Sequence, residues 1–208
     1  MEGDAVHHDG GAVKIPLFET YAEGYNSATL GFRMSQNRIA PLAFSYLIEH
    51  GNFARVVELG THTGGLTALL GVHCKNVKAE LHTFDWDHRA LLYADWFNLL
   101  GVTAHLLDIF SPDGETLIRE LIASQGRTLL LCDGGDKRRE FSLFASSLKD
   151  GDVIGAHDCR NDLPYWSWQE ISEANVREAC VQNHLVPVEH AGLFTEAAWI
   201  MKTKKPRQ

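Results

Sequence analysis

The chain is short of cysteine and of positive charge, and it has no long apolar run. Its four cysteines, Cys74, Cys132, Cys159 and Cys180, are scattered and make no C-x-x-C pair. That excludes a disulfide-framed scaffold or a C-x-x-C zinc module, and leaves free thiols. Lysine and arginine number 19 against 27 aspartates and glutamates, a formal charge of −8. Such a balance argues against a polyanionic partner, so no nucleic acid is expected. No stretch approaches the roughly 18 apolar residues of a spanning helix, so no membrane span is expected. Met1-Glu2-Gly3-Asp4 is acidic and no apolar segment follows it, which points away from a signal peptide and towards the cytoplasm. No internal repeat or low-complexity segment shows.

What is present is an ordinary globular composition, 45% hydrophobic and 22% charged over 208 residues, enough for one domain. Residues 1–13 are polar and Gly-rich, and His7-His8 read as part of a tail and not as a metal site. Residues 14–33 carry scattered aromatics (Phe18, Tyr21, Tyr25, Phe32) around Gly24 and Gly31, expected to form a short helix and a loop over the main body. The boundaries expected are a tail and cover segment at 1–33, the domain at 34–203 and a tail at 204–208. Residues 34–50 show helical spacing (Ile39, Leu42, Ala43, Tyr46, Leu47) with Pro41 inside it, so the helix starts near Asn37 or kinks.

A regular rhythm follows. Strands are expected at 55–59, 80–85, 103–108, 128–133 and 152–157, and helices at 65–74, 88–100, 112–124 and 136–148. Gly101 stops one helix, and Ser111-Pro112 opens another with a capping side chain and a proline at its first position. The alternation predicts an α/β fold, a doubly wound Rossmann-like sheet, mostly parallel, with helices on both faces. The end differs: a helix at 168–182, then strands at 185–188 and 197–201 with a link expected to hold no helix. Two such strands form an antiparallel C-terminal hairpin. The tail from residue 202 onward reads as solvated.

Ligands of such sheets bind beyond the C-terminal strand ends. The first strand runs into Glu58-Leu59-Gly60-Thr61-His62-Thr63-Gly64-Gly65, a tight turn whose glycines let a ligand approach the backbone. A carboxylate there does not suit a phosphate; it suits an amino group or hydroxyls. The other strand ends carry Asp85-Trp86-Asp87, Asp108-Ile109-Phe110, Asp133-Gly134-Gly135-Asp136-Lys137 and His157-Asp158. Five acids converging on one edge repel each other unless a cationic or hydroxyl-rich ligand, or a metal, joins them.

Over roughly residues 34–203 these motifs resemble those of class I S-adenosylmethionine-dependent methyltransferases. The resemblance implies S-adenosylmethionine as cofactor, with Gly60, Thr61 and Gly64 in its turn. It also implies that Glu58 supports the methionine end, Asp85 holds the ribose hydroxyls, and Asp108 lies near the adenine amino group with Ile109 or Phe110 flanking the ring. Trp86 either packs on the nucleoside or is a core or surface aromatic. The nearest resemblance is to small metal-dependent O-methyltransferases of the catechol and caffeoyl-CoA types and the cephalosporin hydroxylase and macrocin O-methyltransferase group. It rests on residues 133–137 and 151–158. It implies a divalent metal, magnesium or manganese, on Asp133, His157 and Asp158. Two departures stand: His157 replaces the usual acid, and Lys137 lies one residue further from Asp133 than in the catechol type. In a competing reading Asp133 only touches cofactor or substrate, and His157 is a non-liganding base or a packed residue.

The function implied is O-methylation of a small hydroxylated acceptor, catechol-like or sugar-like. An ion chelated by two adjacent hydroxyls would lower their pKa. Lys137 or His157 could accept the proton, with Asp133 beside them; alternatively Lys137 is a solvated first-turn lysine. Tyr165, Trp166 and Trp168 either wall the acceptor or anchor the next helix. His62 either faces the ligand or the solvent, and His73, His82, His88, His105, His184 and His190 show no ligand spacing. A nicotinamide-dependent oxidoreductase is the alternative of another class. It needs a glycine at position 62, which is His62. A non-catalytic cofactor-binding protein is the other alternative, and a homo-oligomer is compatible with the N-terminal aromatics.

Overall fold

A computed structural model describes residues 18–20, 27–30, 32–88, 94–159 and 171–206. The tail at 1–13, Tyr21, Tyr25 and the aromatic loop with Tyr165, Trp166 and Trp168 lie outside them. Three short strands open the described chain: β1 (Phe18–Thr20), β2 (Ser27–Thr29) and β3 (Phe32–Met34). They pair antiparallel in the order β1-β2-β3. This corrects the expected short helix and loop.

Helix α1 (Ala40–Gly51) begins after Asn37, whose side-chain oxygen accepts from the Ile39 and Ala40 N–H groups at 2.9 and 3.2 Å. Pro41 sits in its first turn, where no intrahelical N–H is needed, so there is no kink. Met34 belongs to β3 and not to this helix.

The centre of the main sheet comes from runs at 55–59, 128–132 and 153–156 that are buried on both faces, as central parallel strands require. The sheet's strands are β4 (Arg55–Leu59), β5 (Glu80–Asp85), β6 (Val102–Leu106), β7 (Thr128–Cys132), β8 (Val153–Ala156), β9 (Leu185–Pro187) and β10 (Ile200–Lys204). They lie in the order β6-β5-β4-β7-β8-β10-β9. The first five are parallel, and β10 pairs antiparallel with both β8 and β9. The crossover helices are α2 (Gly65–Val77), α3 (Ala94–Leu100), α4 (Pro112–Ala123), α5 (Lys137–Ala145) and α6 (Glu173–Gln182). The described part of the helix expected at 88–100 is therefore α3, and α6 starts five residues later than expected.

The C-terminal hairpin forms, with two corrections. Its link holds a short helix, α7 (Ala191–Glu196), and its second strand runs to Lys204. Six residues are too few to show a helical period in sequence. Lys202 is not solvated tail but a buried member of β10, bound through its ammonium to Glu173 at 2.7 Å.

The sheet separates two apolar layers. On one side α1, α2 and α7 pack with Phe44, Phe194 and Trp199, all nearly inaccessible. Phe44 meets the other two rings edge to face, at centroid distances of 5.7 and 5.0 Å. On the other side α4, α5 and α6 bury Ile118, Ile122, Phe141, Phe144 and Val176.

The N-terminal sheet reaches this body by laying β3 on the start of α2. The Thr63 hydroxyl donates to the Arg33 carbonyl at 2.7 Å. A Cβ on Gly65 would stand 2.2 Å from that same oxygen. Gly65→Ala should therefore push β3 off α2 and cost about 1–3 kcal/mol in urea unfolding, the usual range for overpacking. An unchanged midpoint would show that β3 is not seated there.

Candidate functional site

The C-terminal ends of the parallel strands open into a cavity of about 690 Å³. Its lining includes Gly60, His62, Asp85, Trp86, Asp108, Ile109, Asp133 and Arg139. Of the sequence-predicted residues, Gly60, Asp85, Trp86, Asp108, Ile109 and Asp133 line it, and Glu58, Thr61, Gly64, Lys137, His157 and Asp158 lie outside the lining.

The turn after β4 is held by backbone contact. The Gly60 and Thr61 N–H groups both donate to the Phe84 carbonyl, at 2.8 and 3.2 Å. A Cβ on Gly60 would be 2.4 Å from the Asp133 carbonyl oxygen, and its φ of +102° is a glycine conformation. Gly64, at φ +74°, caps the start of α2. Thr61 is buried, and its hydroxyl bonds that of Thr83 at 2.6 Å.

Glu58 stands behind this turn with no exposed surface. One carboxyl oxygen, Oε2, accepts from the Thr67 and Thr83 hydroxyls at 2.6 and 2.7 Å. The other, Oε1, is buried with no hydrogen-bond partner among the described residues. Burial, helped by the charges of Asp133 and Asp85, pushes the acid up to about 8 against the two threonine bonds. Burial thus favours the neutral acid, and the two threonine bonds let Glu58 brace α2 and β5 against β4.

Asp85 ends β5 and faces the cavity. Its two oxygens accept the His62 and Asp87 N–H groups, each at 2.9 Å. An ionised carboxylate has about four acceptor sites, so two remain for ligand hydroxyls. His62 is exposed on the lining at φ +47°. Trp86 is 77% exposed, which removes the core reading of this ring. Asp108 is exposed and accepts the Phe110 N–H at 2.9 Å. Ile109 is nearly buried below it.

Asp133, just after β7, lines the cavity and adjoins the end of β8. Asp133, His157 and Asp158 offer one ligand atom each, all within 4.8 Å of one another. His157 Nδ1 lies 2.9 Å from Asp133 Oδ1 and 3.5 Å from an Asp158 oxygen. Lys137, in the first turn of α5, is not solvated. It is 5% exposed, pairs with Asp158 at 3.0 Å and donates to the Gly134 carbonyl at 2.9 Å. Burial disfavours its charge, but Asp133 and Asp158 outweigh it and raise the ammonium's pKa. Burial likewise disfavours a charged His157, and Asp133 and Asp158 again prevail, raising its pKa.

Four contributors escaped the sequence reading. Gln36 donates to Asp133 Oδ2 at 2.8 Å, and Trp199 stacks on His157 at 4.9 Å. Glu140 is buried and accepts the Gly134 and Asp136 N–H groups at 3.2 and 3.1 Å, fixing the loop before α5. The guanidinium of Arg139 lies 3.9 Å over the Phe110 ring at the edge of the cavity. Only Glu140 left a signal, as an acid four residues after Asp136, the cap of α5.

No family model matches the chain, and no curated protein matches it by sequence. Solved structures do match by fold. An apo structure of CmcI-N160 is 18% identical with a TM-score of 0.63, covering 85% of this chain and 75% of its own. The Mg-SAM structure of cmcI-D160 gives 17% and 0.56, covering 83% and 74%. The SAH-bound methyltransferase PaMTH1 of Podospora anserina gives 13% and 0.54, covering 82% and 80%. The chain therefore has the Rossmann-like fold of S-adenosylmethionine-dependent methyltransferases, with the antiparallel strand β10 inserted beside β8.

Proposed function

We propose that the protein transfers a methyl group from S-adenosylmethionine to a hydroxyl of a small acceptor, with a divalent ion assisting. The observation that carries this reading is a cavity lined by strand-end acids that adjoins, through Asp133, a charged cluster of different chemistry. The glycine turn, Asp85 and Asp108 offer close backbone and hydroxyl acceptors, which fit a nucleoside and an amino-acid chain. Asp133, His157, Asp158 and Lys137 form a charged cluster that meets the cavity at Asp133, which fits an acceptor losing a proton. Neighbours of the same fold include an SAH-bound methyltransferase and the Mg-SAM structure of cmcI-D160, which supports the choice of cofactor.

The cluster also fits an ion. Two carboxylates and an imidazole converge within 4.8 Å, and a mixed oxygen and nitrogen set favours Mn²⁺, Fe²⁺ or Zn²⁺ over Mg²⁺. Asp133, His157 and Asp158 would hold it, and bound there it would lower the pKa of a chelated hydroxyl. The remaining chemistry belongs to the chain. Methyl transfer is an in-line displacement, so the turn and Asp85 must fix the donor while the charged cluster fixes the nucleophile. Lys137 stays an ammonium and steadies negative charge developing on the acceptor oxygen. Where no ion occupies the cluster, the Asp133–His157 pair is the proton-accepting side. Glu58 acts from behind, holding the turn in place.

The experiment is a labelled-methyl assay over catechol and sugar diols, with and without Mn²⁺ or Mg²⁺. Transfer to a diol oxygen is expected, falling at least ~100-fold in Asp133→Asn. Transfer only to carbon or nitrogen acceptors would refute O-methylation, and full activity in chelator would refute the metal's role.

A further inference from the structure

Gln36 lies in the five-residue connection from β3 to α1, 97 positions before Asp133. It is 2% exposed and touches Trp199 and two members of the charged cluster. The indole N–H of Trp199 donates to its Oε1 at 2.8 Å. An indole nitrogen is a donor only, so the amide oxygen must face Trp199 and the amide nitrogen must face the other way. There Nε2 donates to Asp133 Oδ2 at 2.8 Å and lies 3.3 Å from His157 Nδ1. Asp133 Oδ1 meets His157 Nδ1 at 2.9 Å. His157 stacks back on Trp199, with ring planes 26° apart. The four side chains thus close a ring.

The connection carrying Gln36 is pinned on both sides. Before it, the Arg33 carbonyl accepts from Thr63 of the glycine turn. After it, the Asn37 amide donates to the Glu196 carbonyl at 2.6 Å. Gln36 is therefore a fixed reference and not a side chain free to follow the carboxylate. Without it, Asp133 keeps one side-chain hydrogen bond among the described residues, through Oδ1, and can rotate about its terminal torsion, which is broad.

We propose that Gln36 is the positioning residue of the Asp133–His157 pair, with Trp199 fixing the direction of its amide. The inference rests on the reading of Asp133 and His157 as part of the reacting cluster. It adds that the N-terminal sheet is part of the site's scaffold, because β3 delivers Gln36 to the cluster.

The test uses Gln36→Leu, Trp199→Phe and the double variant in the full chain. Three quantities are measured: Mn²⁺ affinity by paramagnetic resonance, the low-field ring N–H proton of His157 (assigned by its loss in His157→Gln), and affinity for S-adenosylhomocysteine. In Gln36→Leu, Mn²⁺ affinity should fall ~10–100-fold, as for other groups that orient ligands. The His157 proton should broaden or vanish, while S-adenosylhomocysteine affinity stays within about threefold. Trp199→Phe should show a smaller loss, and the double variant should be no worse than Gln36→Leu in Mn²⁺ affinity. Unchanged Mn²⁺ affinity and an unchanged proton in Gln36→Leu would overturn the proposal. So would a parallel loss of S-adenosylhomocysteine affinity, which marks a merely structural role. Additive losses in the double variant would overturn Trp199's part. If the unmodified protein binds no Mn²⁺, the metal reading falls, and the His157 proton alone decides the role of Gln36.

Discussion

Glu58→Gln should abolish most of a fall in stability that the unmodified protein shows between pH 5 and pH 8. In the unfolded chain Glu58 ionises near its ordinary value of 4.5; in the folded protein burial holds the proton until about 8. Between those values unfolding releases a proton. The stabilisation is therefore full below 4.5 and is lost as pH rises through about 8. At ~1.4 kcal/mol per pH unit the window is worth on the order of 3–5 kcal/mol once some relaxation is allowed. Glu140, raised to about 7 by burial, adds a slope of the same sign.

Glutamine mimics the neutral acid. Its carbonyl can accept from Thr67 and Thr83, and its amide replaces the unpartnered Oε1. Urea unfolding of both proteins at half-unit intervals of pH checks this. A flat profile in the unmodified protein, or an identical slope in Glu58→Gln, would refute a buried neutral Glu58. The same substitution should leave cofactor affinity within a few-fold, because Glu58 lies outside the cavity lining.

Asp85→Ala should weaken S-adenosylhomocysteine binding by ~30–1000-fold. The carboxylate loses two hydroxyl donors at ~1–2 kcal/mol each, about 2–4 kcal/mol together. Asp85→Asn should cost less, because the amide oxygen still accepts one hydrogen bond while the amide nitrogen cannot. Asp85 also receives the His62 and Asp87 N–H groups, so both variants need thermal unfolding alongside. An affinity unchanged in Asp85→Ala would remove this residue from the ribose position.

The parallel sheet was legible because its strands are apolar runs bounded by glycine, proline and acids. Val56, Val57 and Leu59 are fully buried, as are Leu129, Leu130 and Leu131. The N-terminal strands were not legible, since three residues per strand leave no alternation to read. The extent of β10 was missed because Lys202 looks like tail chemistry until Glu173 pairs with it.

At the site, every strand-end acid was visible in sequence, and Asp85, Asp108 and Asp133 do line one cavity. What surrounds them was not visible. Gln36 reaches Asp133 across 97 positions, and no local pattern marks such a contact. Lys137 reads as solvated beside Arg138 and Arg139, yet the packing of Asp158 and Gly134 buries it. Glu58 was recognisable as an unusual acid, but only the threonines at 67 and 83 reveal that it faces inward.

A cavity proposed to hold a methyl donor must bind its adenosyl ligands. Calorimetric titration of the unmodified protein with S-adenosylmethionine, S-adenosylhomocysteine and NAD, each with and without Mn²⁺, tests this most directly. Saturable one-to-one binding of both adenosyl ligands without metal is expected, and no binding of NAD. Failure of both adenosyl ligands to bind, or NAD binding as tightly as they do, would contradict the proposal.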